Sequence, residues 1–322
     1  MARRKTLMHE RSPSEPRPEK VTGSRRSLLA GLSACAVLVP LGLAACDRKP
    51  KPAARVETPQ PTVPAGPPEG SLEWAVQGPW RVADRSRDPY RHPMETLRFF
   101  GLQPNMTVVD FWPGSGWYTE ILAPYLSRGG GTYYAAGFST GPGADPAQAA
   151  LMSNFETRYS ADKKLYGEIR FSAFGPASTD VAPPGTANLV LFMRNINAWM
   201  ATGIAEKAFA DAFQALRPGG VLGVEQHRLG PDEDQDPAAT DGYVQEAFVK
   251  QLAVEAGFVF VASSEINANE TDTKDHPFGV GTLPPQSLTA PAGQAPDPTF
   301  DRSKYEAIGE SDRMTLKFRK PE

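Results

Sequence analysis

Cysteine is nearly absent from this chain. Of 322 residues only 2 are cysteine, Cys35 and Cys46, both in the first fifty. The remainder therefore has no disulfide framework, no cysteine-based zinc site and no thiol nucleophile, and an oxidising compartment poses it no hazard. Histidine is scarce as well: 4 in all, His9, His92, His227 and His276. Basic charge is not in surplus, since the formal net charge is −3. That balance argues against the basic footprint that nonspecific nucleic-acid binding requires. No internal repeat is visible.

The N-terminus has to be set aside before the fold is considered. Residues 1–20 are polar and basic. Ser24-Arg25-Arg26-Ser27-Leu28-Leu29 then leads into an apolar run through Ala45. Paired arginines before such a run read as a twin-arginine export signal. The run ends Leu43-Ala44-Ala45-Cys46, which resembles a lipobox, with Leu32-Ser33-Ala34-Cys35 as a second match. Cys46 is preferred, because cutting at Cys35 leaves a short apolar region and retains an apolar tail. The alternative is an uncleaved membrane anchor, which Gly31, Pro40 and Gly42 disfavour. The expected organisation is a signal peptide over 1–46, a Pro-rich tether over 47–70 and a globular body over 71–322. The expected location is the periplasmic side of a bacterial membrane, held by lipid on Cys46. Asp47 resembles the inner-membrane retention signal of enterobacterial lipoproteins, so inner and outer membrane both stay open. Removing residues 1–45 takes away 8 Lys/Arg and 3 Asp/Glu and leaves a net charge of −8. Nonspecific binding to nucleic acid and electrostatic adhesion to anionic lipid are both disfavoured.

Within the body, apolar runs alternate with amphipathic segments. Helices are expected at Pro93–Phe100, Trp117–Leu126, Pro146–Tyr159, Ile204–Leu216 and Gly242–Ala256. Pro124 predicts a kink or an early end in the second of these. Strands are expected at Thr107–Phe111, Thr132–Ala136, Glu168–Phe174, Ala187–Met193, Val221–Glu225 and Phe258–Ala262. A last strand is expected at Met314–Phe318, half-buried by its alternation. Strands alternating with helices indicate a mostly parallel sheet covered on both faces.

The block Val108-Val109-Asp110-Phe111-Trp112-Pro113-Gly114-Ser115-Gly116-Trp117-Tyr118 resembles the first nucleotide-binding motif of class I S-adenosylmethionine-dependent methyltransferases. Leu216-Arg217-Pro218-Gly219-Gly220 and Glu255-Ala256-Gly257-Phe258 resemble the same family further along, so the likeness spans most of the body. It implies a Rossmann-like, doubly wound, mostly parallel seven-stranded sheet with helices on both faces. It also implies S-adenosylmethionine as cofactor, held by Asp110, Trp112, Gly114, Ser115, Gly116, Trp117 and Asn195. Glycines let the backbone approach a ligand, and a helix N-terminus offers N–H groups. Three features depart from the family pattern. Trp112 stands where a glycine is usual, Tyr133 to Phe138 supplies no acid for a ribose, and Asn188 replaces an aspartate. More narrowly, the chain resembles a group of exported methyltransferase-like proteins. That likeness lies in Asp88-Pro89-Tyr90-Arg91-His92-Pro93, Met193-Arg194-Asn195-Ile196-Asn197-Ala198-Trp199, Glu225-Gln226-His227-Arg228, Asp275-His276-Pro277 and Gly309-Glu310-Ser311-Asp312-Arg313-Met314.

In such sheets the ligand sits beyond the strand C-termini, which puts Asp110–Gly116, Arg194–Asn197 and Glu225–Arg228 around one crevice. His227 is the first candidate base. His92 and His276 are candidates reaching over from flanking segments, and Arg194 and Arg228 are candidates for holding an anionic acceptor. Each has a structural alternative: a packed histidine, or an ion pair with Glu225 or Asp312. Trp117 and Tyr118 either stack on a ligand or pack in the core. The three histidines with Glu225 lack tight metal-ligand spacing, and Asp232–Asp236 lacks a calcium-loop pattern, so no metal is expected. Three functions remain open. The first is a methyltransferase acting on an unidentified small molecule. The second is a noncatalytic binding lipoprotein reusing the fold. The third is a His-dependent or metal-dependent enzyme of another class.

Overall fold

The computed structural model describes residues 66–322. The export signal, Cys46 and nearly all of the tether lie outside the described residues. Among the described residues no helix is long and apolar enough to cross a membrane.

Seven strands form one sheet: β1 (Thr107–Phe111), β2 (Thr132–Gly137), β3 (Arg170–Ala173), β4 (Ala187–Met193), β5 (Leu216–His227), β6 (Val259–Ser264) and β7 (Arg313–Arg319). Their order is β3-β2-β1-β4-β5-β7-β6. β1 to β5 pair in parallel, and β7 runs antiparallel between β5 and β6. This is the expected Rossmann-like, mostly parallel doubly wound sheet.

Side chains alternate between two cores, as period-two geometry requires. Val108, Tyr133, Ala135, Leu189 and Leu191 pack beneath helices α1 (Leu72–Val76), α3 (Pro93–Phe100), α4 (Thr119–Gly129), α5 (Pro146–Ser160) and α6 (Lys163–Tyr166), with α2 (Asp88–Arg91) leading into α3. Val109, Phe111, Val190, Phe192, Leu222 and Val224 pack against α7 (Ile196–Ala201), α8 (Ala205–Ala215) and α9 (Glu246–Glu255). Burial on both faces explains why β1 and β4 read as continuous apolar runs.

The structure differs from the sequence-based expectation at four places. Helix α4 does not stop at Pro124. Proline leaves the Glu120 carbonyl without its helical donor, and the Trp80 indole N–H donates to that carbonyl instead, at 2.9 Å. Helix α9 begins at Glu246, because Val244 is extended and donates its N–H to the His227 carbonyl. Strand β5 exceeds the expected Val221–Glu225 at both ends: it begins at Leu216, paired with Ala187 where a turn was expected, and runs to His227, paired with Arg313. Strand β7 is buried on both faces rather than one. Met314, Leu316 and Phe318 enter the core, while Arg313 and Thr315 are buried on the polar side. There Asn267 donates to Thr315 Oγ1 at 3.0 Å, and Lys317 donates to the Phe99 carbonyl.

Residues 265–312 link β6 to β7 and include the short helix α10 (Ser303–Ile308). A connection this long in a compact domain commonly carries function. Because β7 is antiparallel, the segment ends beside the C-terminus of β5.

Candidate functional site

The chain moves outward from β1 to β3 and then back across to β4, so the strand order switches between β1 and β4. In open α/β sheets that switch point is where ligands bind. A cavity of about 250 Å³ lies there. The turn after β1, Arg194 and Asn195 after β4, and His227 at the end of β5 all line it. Arg87 and Arg91 from around α2, and Gln286, Glu310 and Ser311 from the 265–312 segment, complete the walls.

Two strand ends share one backbone device. Trp112 follows β1 with φ +47°, and Arg194 follows β4 with φ +64°. Left-handed backbone at a bulky residue is uncommon, and strain of this kind gathers at ligand sites. Each turn is pinned by the neighbouring strand: Trp112 N–H donates to the Ala136 carbonyl, and Arg194 N–H to the Glu225 carbonyl. Asn195 then ties the two turns together, its Nδ2 donating to the carbonyls of Phe111 at 2.8 Å and Trp112 at 3.2 Å. Gly114 has φ +61° with open space where a side chain would stand. Gly116 has φ +96°, and a Cβ there would collide with the Tyr159 hydroxyl. That hydroxyl donates to the Ser115 and Gly116 carbonyls.

Asp110, at the penultimate position of β1, is buried and lines the cavity. Tyr133 donates to its Oδ2 at 2.9 Å. Since that hydroxyl proton is spent on Asp110, Thr119 must be the donor in its 2.9 Å contact with Tyr133. Oδ1 of Asp110 has no partner. Burial pushes the carboxyl up to about 7, against the Tyr133 hydrogen bond and Arg194, which act downward.

Beside it lies a cluster of four guanidinium groups on two buried carboxylates, with Arg91 and Arg313 buried and Arg87 and Arg194 partly so. Arg194 meets Glu225 at 2.7 Å. Arg91, Arg313 and Arg87 meet Glu310 at 2.8, 2.7 and 3.2 Å, and Arg313 also reaches Glu225 at 3.3 Å. Tyr118 donates to Glu225 Oε2 at 3.1 Å. Burial alone would raise Glu310, but Arg91 and Arg313 outweigh it and hold the carboxyl at about 2. Arg91 is pushed down to about 9 by burial and then by Arg194, with Glu310 acting the other way. Trp117 is a platform in this cluster: the guanidiniums of Arg81 and Arg91 lie over its ring at 5.1 and 5.0 Å, and its indole N–H donates to the Asp84 carbonyl.

His227 lines the cavity, with Nδ1 at 2.5 Å from Ser311 Oγ. Burial, followed by Arg313 and Arg194, pushes its imidazole well below the usual range, so it is neutral at pH 7. The structure places His92 and His276 outside the cavity walls. His92 sits at the joint of α2 and α3, 3.4 Å from Asn267 Oδ1. His276 is buried on Asp272 at 2.8 Å, and Asp272 also accepts from Tyr243 and from the Asp312 N–H. Arg228 is likewise elsewhere, paired with Asp312 and Glu265. The histidines therefore do not converge, and among the described residues no group of three or more acidic, histidine or cysteine side chains is placed to hold a metal. In the acidic loop, Asp236 closes its own turn on Ala238 and Thr240.

Trp112 fills ground on the other side of the turn. Its ring packs on Phe138 at 4.6 Å, with Phe174 and Trp199 behind it. Its indole N–H donates to the Phe174 carbonyl at 3.0 Å. A second cavity of about 380 Å³ opens beyond it between Phe138 and α5, walled by Leu151, Met152 and Phe155.

Arg87, Arg91, Glu310 and Ser311, like Gln286, are cavity residues that spacing alone does not find. Three of them, Arg91, Glu310 and Ser311, lie in the phrases Asp88–Pro93 and Gly309–Met314, and the resemblance those phrases carry was the available signal. Their convergence depends on the antiparallel insertion of β7.

No family model matches the sequence, and no curated protein matches it. Among solved structures the chain is similar to geranyl diphosphate methyltransferase in complex with SAM, at 14% identity over 76% of this chain and 94% of that one, TM-score 0.47. It is similar to the [4+2]-cyclase SpnF at 14% identity over 80% and 98%, TM-score 0.46. A SAM-dependent methyltransferase from Aquifex aeolicus is similar at 18% identity over 58% and 90%, TM-score 0.43. The fold assignment rests on the chain's own strand order.

Proposed function

We propose that this chain binds S-adenosylmethionine across the turn after β1 and methylates a small-molecule acceptor. One observation carries the proposal. Asp110 lies buried at the end of β1, just before the Gly114–Gly116 turn; the residue borders the cavity, and one of its carboxylate oxygens is buried without a partner. An ammonium group is a fitting partner for that oxygen, and the cofactor's amino acid end carries one. The space open at Gly114 lets a ligand approach the backbone. The cofactor supplies an electrophilic methyl group on its sulfonium. The protein's task is chiefly alignment, which the pinned turns at Trp112 and Arg194 serve. His227 is the one histidine on the cavity wall, held by Ser311; the burial and the arginines that keep it neutral also weaken it as a base, so its role is to orient a hydroxyl or amine acceptor by a hydrogen bond. The test is incubation of the full chain with methyl-labelled S-adenosylmethionine and a small-molecule extract. Label moving into the extract with wild type but not with Asp110→Ala supports the proposal, and no movement opposes it.

A second reading is favoured by Trp112 and by Gly137-Phe138-Ser139, which offers no carboxylate at the end of β2. On that reading the fold is reused to bind another small ligand without catalysis. Binding without label transfer distinguishes it. We also propose export and lipid anchoring at Cys46. Labelled fatty acid should enter the wild-type chain in cells and not Cys46→Ser.

A further inference from the structure

The charge around the cavity does not balance. Arg87, Arg91, Arg194 and Arg313 share two carboxylates, Glu225 and Glu310, in one connected network. Three of the four arginines, Arg87, Arg91 and Arg194, reach the cavity surface. The nearest remaining acid there is Asp110, which burial holds largely protonated up to about pH 7. His227 is neutral. Arg81, close by, is already matched by Asp88 at 2.8 Å. The walls therefore carry an excess of positive charge over protein counterions, buried at Arg91 and partly buried at Arg194 and Arg87. Uncompensated charge removed from water is costly, so such a site is stabilised by an anion.

We infer that the cavity holds a small molecule bearing an oxyanion, a carboxylate or phosphate, seated against Arg87, Arg91 and Arg194. Guanidinium forks match both groups geometrically. The site's charge stands on these side chains alone; that the oxyanion belongs to the methyl acceptor rests on the function proposed above. S-adenosylmethionine does not neutralise the cluster, because its sulfonium and ammonium outnumber its carboxylate. A bound oxyanion would offset that repulsion as well. Ser311, whose hydroxyl meets His227, supplies a further polar contact on the same wall.

The test is calorimetric titration of the full chain with phenyl phosphate, benzoate and phenol, with S-adenosylmethionine titrated separately. One or both anions should bind at least ten-fold more tightly than phenol, and which of them does so identifies the group. Arg87→Gln should weaken the preferred anion about five-fold or more while leaving phenol unchanged, and Arg87→Lys should recover part of the loss. The Arg87 side chain is 24% exposed and its one acidic partner is Glu310, so the fold survives this change. Phenol binding as tightly as both anions, or no effect of Arg87→Gln, overturns the inference. Anion binding without cofactor binding refutes only the methyltransferase proposal, and cofactor binding without anion preference refutes only this one.

Discussion

Arg194 and Glu225 are joined twice, once through the backbone and once through their side chains. The Arg194 N–H donates to the Glu225 carbonyl at 2.7 Å, and Arg194 Nη1 donates to Glu225 Oε1 at the same distance. The double link locks the end of β4 to β5 and aims the guanidinium at the cavity. Removing one partner of a buried pair costs about 3–5 kcal/mol. Glu225→Ala should therefore lower unfolding free energy by that order in urea. Glu225→Gln, which still accepts hydrogen bonds, should lose less.

Asp110 makes stability and binding depend on pH in opposite directions. Its carboxyl is raised in the folded chain from the ordinary 3.8 to about 7. The folded state then binds more protons than the unfolded one between those values. Asp110's contribution to stability is thus full below about pH 4 and is lost as pH rises toward 7. Asp110→Asn should flatten that decline in a stability profile. Binding of a cationic ligand should strengthen through pH 7 in wild type, as the carboxylate forms, and stay level in Asp110→Asn.

Trp112 stands in the wall of both the switch-point cavity and the cavity along α5. Its ring lies against Phe138 at the end of β2, and its backbone is held at positive φ. Trp112→Gly relieves the backbone strain and opens a path toward the cavity along α5. Affinity for S-adenosylmethionine should rise about ten-fold, equivalent to about 1.4 kcal/mol. The same variant should lose thermal stability through its missing aromatic contacts.

Trp80 and Pro124 are coupled through the Glu120 carbonyl. Trp80→Phe strands that buried acceptor and should cost about 1–3 kcal/mol. Pro124→Ala restores a helical donor, so it should stabilise the Trp80→Phe chain more than it stabilises wild type. Equal effects in the two backgrounds, measured by a double-mutant cycle, would remove the claimed link.

Much of this architecture was legible in residue order. The apolar runs at β1 and β4, the glycine turn after β1 and the helix α8 stand where periodicity puts them, and with them the crevice residues Asp110, Gly114, Arg194, Asn195 and His227. The early end that Pro124 offered as one of two outcomes for α4 does not occur, because Trp80, forty residues before Glu120, supplies a donor to the freed Glu120 carbonyl. Alternation misjudged β7, because its polar side is covered by α3 and the long β6–β7 segment. His227 ranks ahead of His92 and His276 because it follows a strand, while those two are candidates from flanking segments. Only the path of that segment sends His276 to Asp272 and brings Glu310 and Ser311 to the cavity instead.

The central claim is that the turn after β1, with Asp110 behind it, is a cofactor site. Calorimetric titration of S-adenosylmethionine and S-adenosylhomocysteine into the full chain, stripped of bound ligand, tests it most directly. Micromolar binding is expected, about −8 kcal/mol, weakened at least ten-fold by Asp110→Ala and by Gly114→Val. No binding heat from a chain shown to be folded, or binding indifferent to both substitutions, would contradict it.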